Sequence, residues 1–153
     1  MEIISSMVEV HVFKLIDGKM RFLLLKRSEK DIYPDLWQMV TGRIEGNEKA
    51  YETAIREVSE ESGLKVKKLW AVPNINSFYS ADSDRITLIP VFAVLTDESE
   101  SVELSEEHSD FMWVDKDECK RMLAWPGQQK SVDILYDYYF NRKSDLDLVE
   151  IKI

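Results

Sequence analysis

Glu57, Glu60 and Glu61 stand close together in the run Gly42–Leu64, GRIEGNEKAYETAIREVSEESGL, and their spacing gives them chemical interest. The run opens as a loop containing Gly42 and Gly46 and becomes helix-forming from about Glu48. It ends at Gly63, a residue suited to the left-handed stop of a helix. At about 100° per residue, with Glu57 as zero, Glu60 falls at roughly −60° and Glu61 at roughly +40°, so three carboxylates share one arc. Tyr51, Ile55 and Val58 fall at about +100° to +160°, bordered by Ala54, and give the helix an apolar side to bury. Crowded carboxylates repel one another and raise each other's pKa unless positive charge sits among them. A hard divalent cation with oxygen ligands, Mg²⁺ or Mn²⁺, would relieve that repulsion where phosphates complete its coordination. On the glutamates alone, a solvated acidic helix face is the commoner arrangement and the better fit.

The full spacing goes further. Gly42, five residues, Glu48, seven residues, Arg56-Glu57-Val58, one residue, Glu60-Glu61, one residue and Gly63-Leu64 follow in order. This resembles the box G-x5-E-x7-R-E-U-x-E-E-x-G-U (U aliphatic) of the Nudix, or MutT-like, hydrolase family, with all nine specified positions met. A motif this long with fixed gaps is far more specific than a short glycine pattern. The resemblance implies an α+β Nudix fold, a mixed β-sheet sandwiched between helices. It also implies enzymes that use Mg²⁺ to cleave a diphosphate linked to another moiety.

Residue by residue, the resemblance assigns Glu57, Glu60 and Glu61 to the metal and gives Arg56 the task of orienting the box glutamates by ion pairing. Glu48 suits the helix N-terminus and a brace on Arg56. Arg27, in a region that lies beside the substrate cleft in Nudix proteins, becomes a candidate phosphate contact. Gly42, Arg43 and Trp37 join it as candidate substrate contacts, although Trp37 fits a core anchor slightly better. Two departures stand out. Thr41 replaces the first of two common glycines, and Asn47 precedes Glu48, with Gly46 one residue early. Asn tolerates the left-handed region and can cap a helix, so the loop is expected to keep its shape. Downstream, EEHSDFMWV looks like the E-H-x-x-x-x-W-V/L signature of several Nudix subgroups. Glu107 takes the place of its glutamate, a further metal ligand or the general base, and His108 reads as structural.

The remaining features bound the reading. A chain of 153 residues is expected to form one domain, with its core between about residues 8 and 142. A net charge of −9 argues against a nucleic-acid or anionic-membrane surface but not against a phosphorylated small molecule whose metal brings the positive charge. The single cysteine, Cys119, reads as a packing residue and suggests a reducing compartment. With no membrane-length apolar run and no signal-peptide pattern in Met1–Ser6, a cytoplasmic location is expected.

The elements that must position the site read as follows. Val8 to Ile16 alternates as a strand, with His11 packed inside it. Asp17-Gly18-Lys19 turns into a second strand, Met20 to Lys26, buried on both faces. A polar loop, Ser28 to Pro34, and a short strand lead into Gly42. Strands follow at Lys65–Val72 and Ile75–Tyr79, broken at Pro73, and at Ile86–Leu95, where Pro90 needs an edge, a bulge or a strand end. Asp97 to Glu106 reads as a flexible acidic loop. Asp115 caps a short helix to Leu123. Trp125-Pro126-Gly127 turns into a helix over Gln128–Arg142, burying Val132, Leu135, Tyr136, Tyr139 and Phe140. From Ser144 the tail reads as a late strand, a homodimer contact or disorder.

Phosphoanhydride cleavage needs a placed water, charge neutralisation and an in-line leaving group, with Glu57 or Glu107 taking the water's proton. LWQMVTGRIE and EEHSDFMWVD, with the Trp and terminal helix beyond, look similar to dihydroneopterin triphosphate and dATP pyrophosphohydrolases. The first expectation is therefore a nucleoside- or pterin-triphosphate pyrophosphohydrolase. The alternatives are a dinucleoside polyphosphate or nucleotide-sugar hydrolase and, from another class, a non-catalytic nucleotide-sensing Nudix module, which would typically have lost box carboxylates.

Overall fold

Alternation along Met7–Ile16 sends Val8, Val10 and Val12 to one face and Glu9, His11 and Phe13 to the other, and all six are buried. A strand covered on both sides needs helices above and below it, and the rest of the chain supplies them. The computed structural model describes residues 1–153. In chain order the elements are β1 (Glu2–Ile4), β2 (Met7–Ile16), β3 (Lys19–Arg27), β4 (Trp37–Gln38), β5 (Val40–Arg43), α1 (Ala50–Ser62), β6 (Lys68–Ser80) and β7 (Arg85–Leu95). They are followed by β8 (His108–Val114), α2 (Lys116–Met122), α3 (Pro126–Asn141), α4 (Lys143–Leu148) and β9 (Glu150–Ile151).

The nine strands form one mixed sheet. Its main path runs β4-β3-β2-β7-β6-β9, with β5 on β2, β8 on β3 and β1 on β7. β2 and β7 run parallel, as do β1 and β7, while the other pairs are antiparallel. One face buries Val8, Val10, Val12, Leu23, Leu25, Phe92 and Val94 under Ala54 and Val58 of α1. The other buries Phe13, Phe22, Leu24, Trp70, Val91 and Ala93 under Val132 and Leu135 of α3, with Cys119 and Leu146 from the neighbouring helices. This is the expected sheet between helices. The three leucines of β3 divide between the two faces, which explains their uninterrupted run.

Several details differ from the sequence reading. The helix of the glutamate run starts at Ala50, and its N-cap is Lys49, whose amide donates to the Glu52 carboxylate at 2.9 Å. Gly46, at φ 52°, takes the left-handed position, so Asn47 is asked for neither the turn nor the cap. Pro73 does not divide two strands. β6 runs through it, and the pairing with β7 shifts between Ala71 and Ile75. Pro90 stands opposite that shift and just before β2 begins to pair with β7 at Val91, so its missing N–H falls between ladders. The acidic loop is pinned at its middle: the Glu103 amide donates to Ser62 O at 2.8 Å, and Val102 and Leu104 pack beside α1. Phe140 is exposed rather than part of the buried face of α3. The tail adds a short helix and then a strand, β9, that pairs with Leu69 and Trp70 of β6. β1 has no counterpart in the sequence reading.

Candidate active site

α1 and β5 meet where Gly42 passes the helix. A Cβ on Gly42 would overlap the side chain of Glu57, so this position admits only glycine while Glu57 keeps its place. Gly63, at φ 71°, ends α1 in the left-handed conformation, and its amide donates to Ser59 O. The glutamates do not share one environment. Glu57 and Glu61 are buried, and Glu60 is exposed on the helix flank.

Arg56 is the organising cation. Its Nε and Nη2 donate to the two oxygens of Glu48 at 2.7 and 3.0 Å. Nη1 donates to Glu57 at 2.7 Å and Glu60 at 3.1 Å, while Nη2 also reaches the Arg43 carbonyl at 2.9 Å. One guanidinium thus ties the loop, the helix start and two carboxylates. The Arg56 hydrogen bonds pull the Glu48 carboxyl down to about 2. Glu57 is pushed up by burial and pulled back by Arg56.

Glu61 carries the largest perturbation among the acids. Burial, then the negative charges of Glu57 and Glu107, push it up to about 9, against a downward pull from the facing Thr41 amide. Its Oε2 is buried without a protein partner. Oxygens of Glu61 and Glu107 and a ring nitrogen of His108 lie within 4.8 Å of one another. β8 starts at His108, opposite Arg27 at the end of β3, and the Glu107 carbonyl accepts from the Ser28 amide at 3.0 Å. His108 is buried with Nδ1 unpartnered, and burial holds its pKa down, which keeps the ring neutral and able to offer a lone pair.

These groups fit a hard divalent cation. An orphaned buried carboxylate oxygen and mutually repelling neighbours form a donor set that positive charge would complete. The expected residues thus come together in part: Glu61 and Glu107 share the donor group, Glu57 lies close enough for its charge to act on both while its carboxylate is held by Arg56, and the exposed Glu60 turns outward to the same arginine. His108 enters as a donor that the sequence reading set aside, and only its place beside Glu107 could have signalled it.

Of the candidate substrate contacts, Arg27 lies beside Glu107, with Nε donating to Ile32 O at 2.9 Å and Nη2 3.7 Å from Asp31. The exposed Arg43 side chain forms no ion pair or hydrogen bond. Trp37 is half-buried against the α3-side core.

The family model described as NUDIX domain matches residues 6–135. The chain belongs to the Nudix family. It is a Nudix hydrolase, an enzyme acting on phosphoanhydride bonds. A dihydroneopterin triphosphate diphosphatase of Haemophilus influenzae is 28% identical over 137 residues, covering 79% of this chain and 80% of the relative. An asymmetrical bis(5'-nucleosyl)-tetraphosphatase of Mus musculus is 28% identical over 114 residues, covering 73% and 76%. Among solved structures, an Ap4A hydrolase binary complex from C. elegans superposes with a TM-score of 0.74 at 18% identity, covering 89% of this chain and 97% of that one. That likeness speaks for the Nudix fold. No helix of the chain is long and apolar enough to cross a membrane.

Proposed function

We propose that this Nudix hydrolase cleaves a nucleoside or pterin triphosphate with the help of Mg²⁺, or Mn²⁺ in its place, releasing pyrophosphate and the monophosphate. The observation that carries this reading is the grouping of Glu61, Glu107 and His108 at the unpartnered buried oxygen of Glu61, with the charge of Glu57 beside them. Glu57, Glu61 and Glu107 would hold the cation, with the exposed Glu60 at its outer side. When bound, the ion neutralises charge on the phosphoryl oxygens and makes the attacking water more acidic.

The chain's own groups do the rest. Glu57 or Glu107 accepts the proton of a water whose oxygen attacks phosphorus, and the bridging P–O bond breaks on the opposite side. Arg56 keeps Glu57 in one orientation throughout. Arg27 and the unpaired Arg43 bind phosphate oxygens, the Gly42 backbone lets the chain approach them, and Trp37 flanks the substrate. The buried, unpaired Cys119 agrees with a reducing, cytoplasmic setting.

A dinucleoside polyphosphate is the second reading, favoured by the similarity to the mouse tetraphosphatase. Both are tested by incubating the pure chain with Mg²⁺ and a panel of dNTPs, dihydroneopterin triphosphate, diadenosine polyphosphates and nucleotide sugars, with ion-exchange separation of products. Pyrophosphate release from a triphosphate, abolished by EDTA and by Glu57→Gln, is the expected result. Cleavage of dinucleotides alone moves the substrate to the second reading, and no turnover of any compound overturns both.

A further inference from the structure

Successive residues of a regular strand point to opposite faces, yet Glu107 and His108 meet at one place. The backbone shows how. Lys26 pairs with Asp110 and Arg27 with His108, so one step on β3 spans two on β8 and Ser109 is left over. A bulge of this kind breaks the alternation and re-aims the side chains beside it. Just before it the chain turns, with the His108 amide donating to Ser105 O at 3.4 Å and the Glu107 amide to Ser105 Oγ at 3.3 Å. Turn and bulge bring an oxygen of Glu107 and a ring nitrogen of His108 within 4.8 Å of each other and of an oxygen of Glu61.

No lysine or arginine completes this group. Arg56 is occupied by Glu48, Glu57, Glu60 and the Arg43 carbonyl, and it does not reach Glu61. Arg27 stands nearby but donates to Ile32 O and faces Asp31 at 3.7 Å. Two atoms of the group's residues are left bare inside the protein. Glu61, 4% exposed, has Oε2 without a partner, and His108, 7% exposed, has Nδ1 without one. Buried polar atoms are nearly always hydrogen-bonded, so these two call for a partner that the chain does not supply. Glu107 is exposed and opens the group to solvent on one side.

The nitrogen makes a chemical difference. Mg²⁺ takes carboxylate, carbonyl and water oxygens and accepts imidazole poorly. Ions of the first transition row bind imidazole well, and their affinity for a mixed nitrogen and oxygen site rises from Mn²⁺ to Co²⁺ and beyond. Two carboxylates alone would serve either kind of ion. Two carboxylates and a histidine favour the second.

We infer that His108 is a direct nitrogen ligand of the divalent ion at this site, and that it shifts the preference of the site from Mg²⁺ toward a first-row transition ion such as Mn²⁺ or Co²⁺. This rests on the metal-assisted reading above and deepens it, because a residue outside the glutamate run then decides which ion the site holds best.

The test uses the whole, untagged chain with Mn²⁺, Co²⁺ or Mg²⁺ and no substrate. Pulsed electron paramagnetic resonance of bound Mn²⁺ should show coupling to a directly bound ring nitrogen. The chain has two histidines, and His11 is buried on the sheet face away from α1, so that coupling reports His108. His108→Asn removes the imidazole and keeps an oxygen donor. By calorimetric titration it should weaken Co²⁺ binding at least about tenfold and Mg²⁺ binding less than about threefold, and the nitrogen coupling should vanish. Should His108→Asn fail to fold, the wild-type spectrum decides alone. Bound Mn²⁺ without nitrogen coupling, no bound ion, or a folded His108→Asn chain that keeps the ratio of Co²⁺ to Mg²⁺ affinity overturns the inference. Nitrogen-coupled binding without turnover of any triphosphate would sink the proposed reaction alone, because ion binding requires no hydrolysis.

Discussion

Gly42 and Glu57 occupy complementary space: the side chain that Gly42 lacks would stand where Glu57 has its carboxyl-bearing carbons. The first glycine of the box is therefore a steric statement about a glutamate 15 positions later (57 − 42). Gly42→Ala should push Glu57 aside and lower kcat by on the order of 100-fold, the scale of an ångström-sized misplacement. Thermal melting of the variant should stay close to wild type, since Glu57 can swing toward solvent. A variant with unchanged kcat would show that Glu57 is not held by this contact.

Arg56 makes its contacts through all three nitrogens of a planar fork, which a lysine ammonium does not reproduce. Arg56→Lys is therefore expected to act as a loss. It should lower stability by about 1–2 kcal/mol through the lost charged hydrogen bonds. Activity should fall about 10- to 100-fold as Glu57 loses its orientation. Denaturant titration and steady-state kinetics on the same preparation check both, and wild-type activity in the lysine variant would remove the orienting role.

Much of this was legible in the sequence because it rests on local rules. The box spacing, the Asp17-Gly18 turn, the leucine run of β3 and the Asp115 cap, which accepts from the Glu118 amide at 2.8 Å, depend on residues near each other in the chain. What stayed hidden depends on residues that meet only after folding. Periodicity put Glu57, Glu60 and Glu61 on one arc, but Arg56, Gly42 and the approach of Glu107 decide which of them turn inward. Glu9 looked like the polar half of an alternating strand, and only Gln128, far along the chain, makes it part of a network. β1 and β9 are too short to carry a pattern of their own, and each exists through a partner strand.

His11 lies buried on the α3-side face with Nε2 unpartnered, and burial pushes its pKa from 6.5 down to about 4. The folded chain therefore keeps this ring neutral where the unfolded chain protonates it. The unfolded state binds more protons between about pH 6.5 and 4, so stability falls as pH drops through that window, by up to about 3 kcal/mol. Glu9, on the same face, is pushed up by burial and works in the opposite direction, since its folded form holds a proton longer. Comparing His11→Leu with wild type isolates the histidine. Urea melts at pH 7 and pH 4.5 should show a smaller stability loss in the variant, and equal losses would mean that the ring protonates in the folded state.

Cys119 sits fully buried in α2, and burial followed by the nearby Asp115 charge pushes its thiol up to about 12. Thiolate, not thiol, attacks disulfide reagents. At pH 8 the native chain should therefore leave an aromatic disulfide such as DTNB unreacted over hours, and one equivalent should react on adding denaturant. Fast labelling of the native chain would show that α2 opens readily.

The C-terminal segment makes a last test because its contacts belong to the core rather than to an appendage. Leu146 is 3% exposed within the cluster under α3, the Ala71 amide donates to Val149 O at 2.9 Å beside the irregular stretch of β6, and Ile151 pairs with Leu69. Leu146→Ala removes a fully packed side chain where neighbours from β6 and α3 are fixed by the sheet, so the cavity cannot close cheaply. It should cost about 2–5 kcal/mol in denaturant titration. Leu148, which is 83% exposed, provides the internal control, and Leu148→Ala should change stability by no more than about 0.5 kcal/mol. Equal effects at the two positions would show that α4 does not pack as described, and that β6 holds its register without the tail.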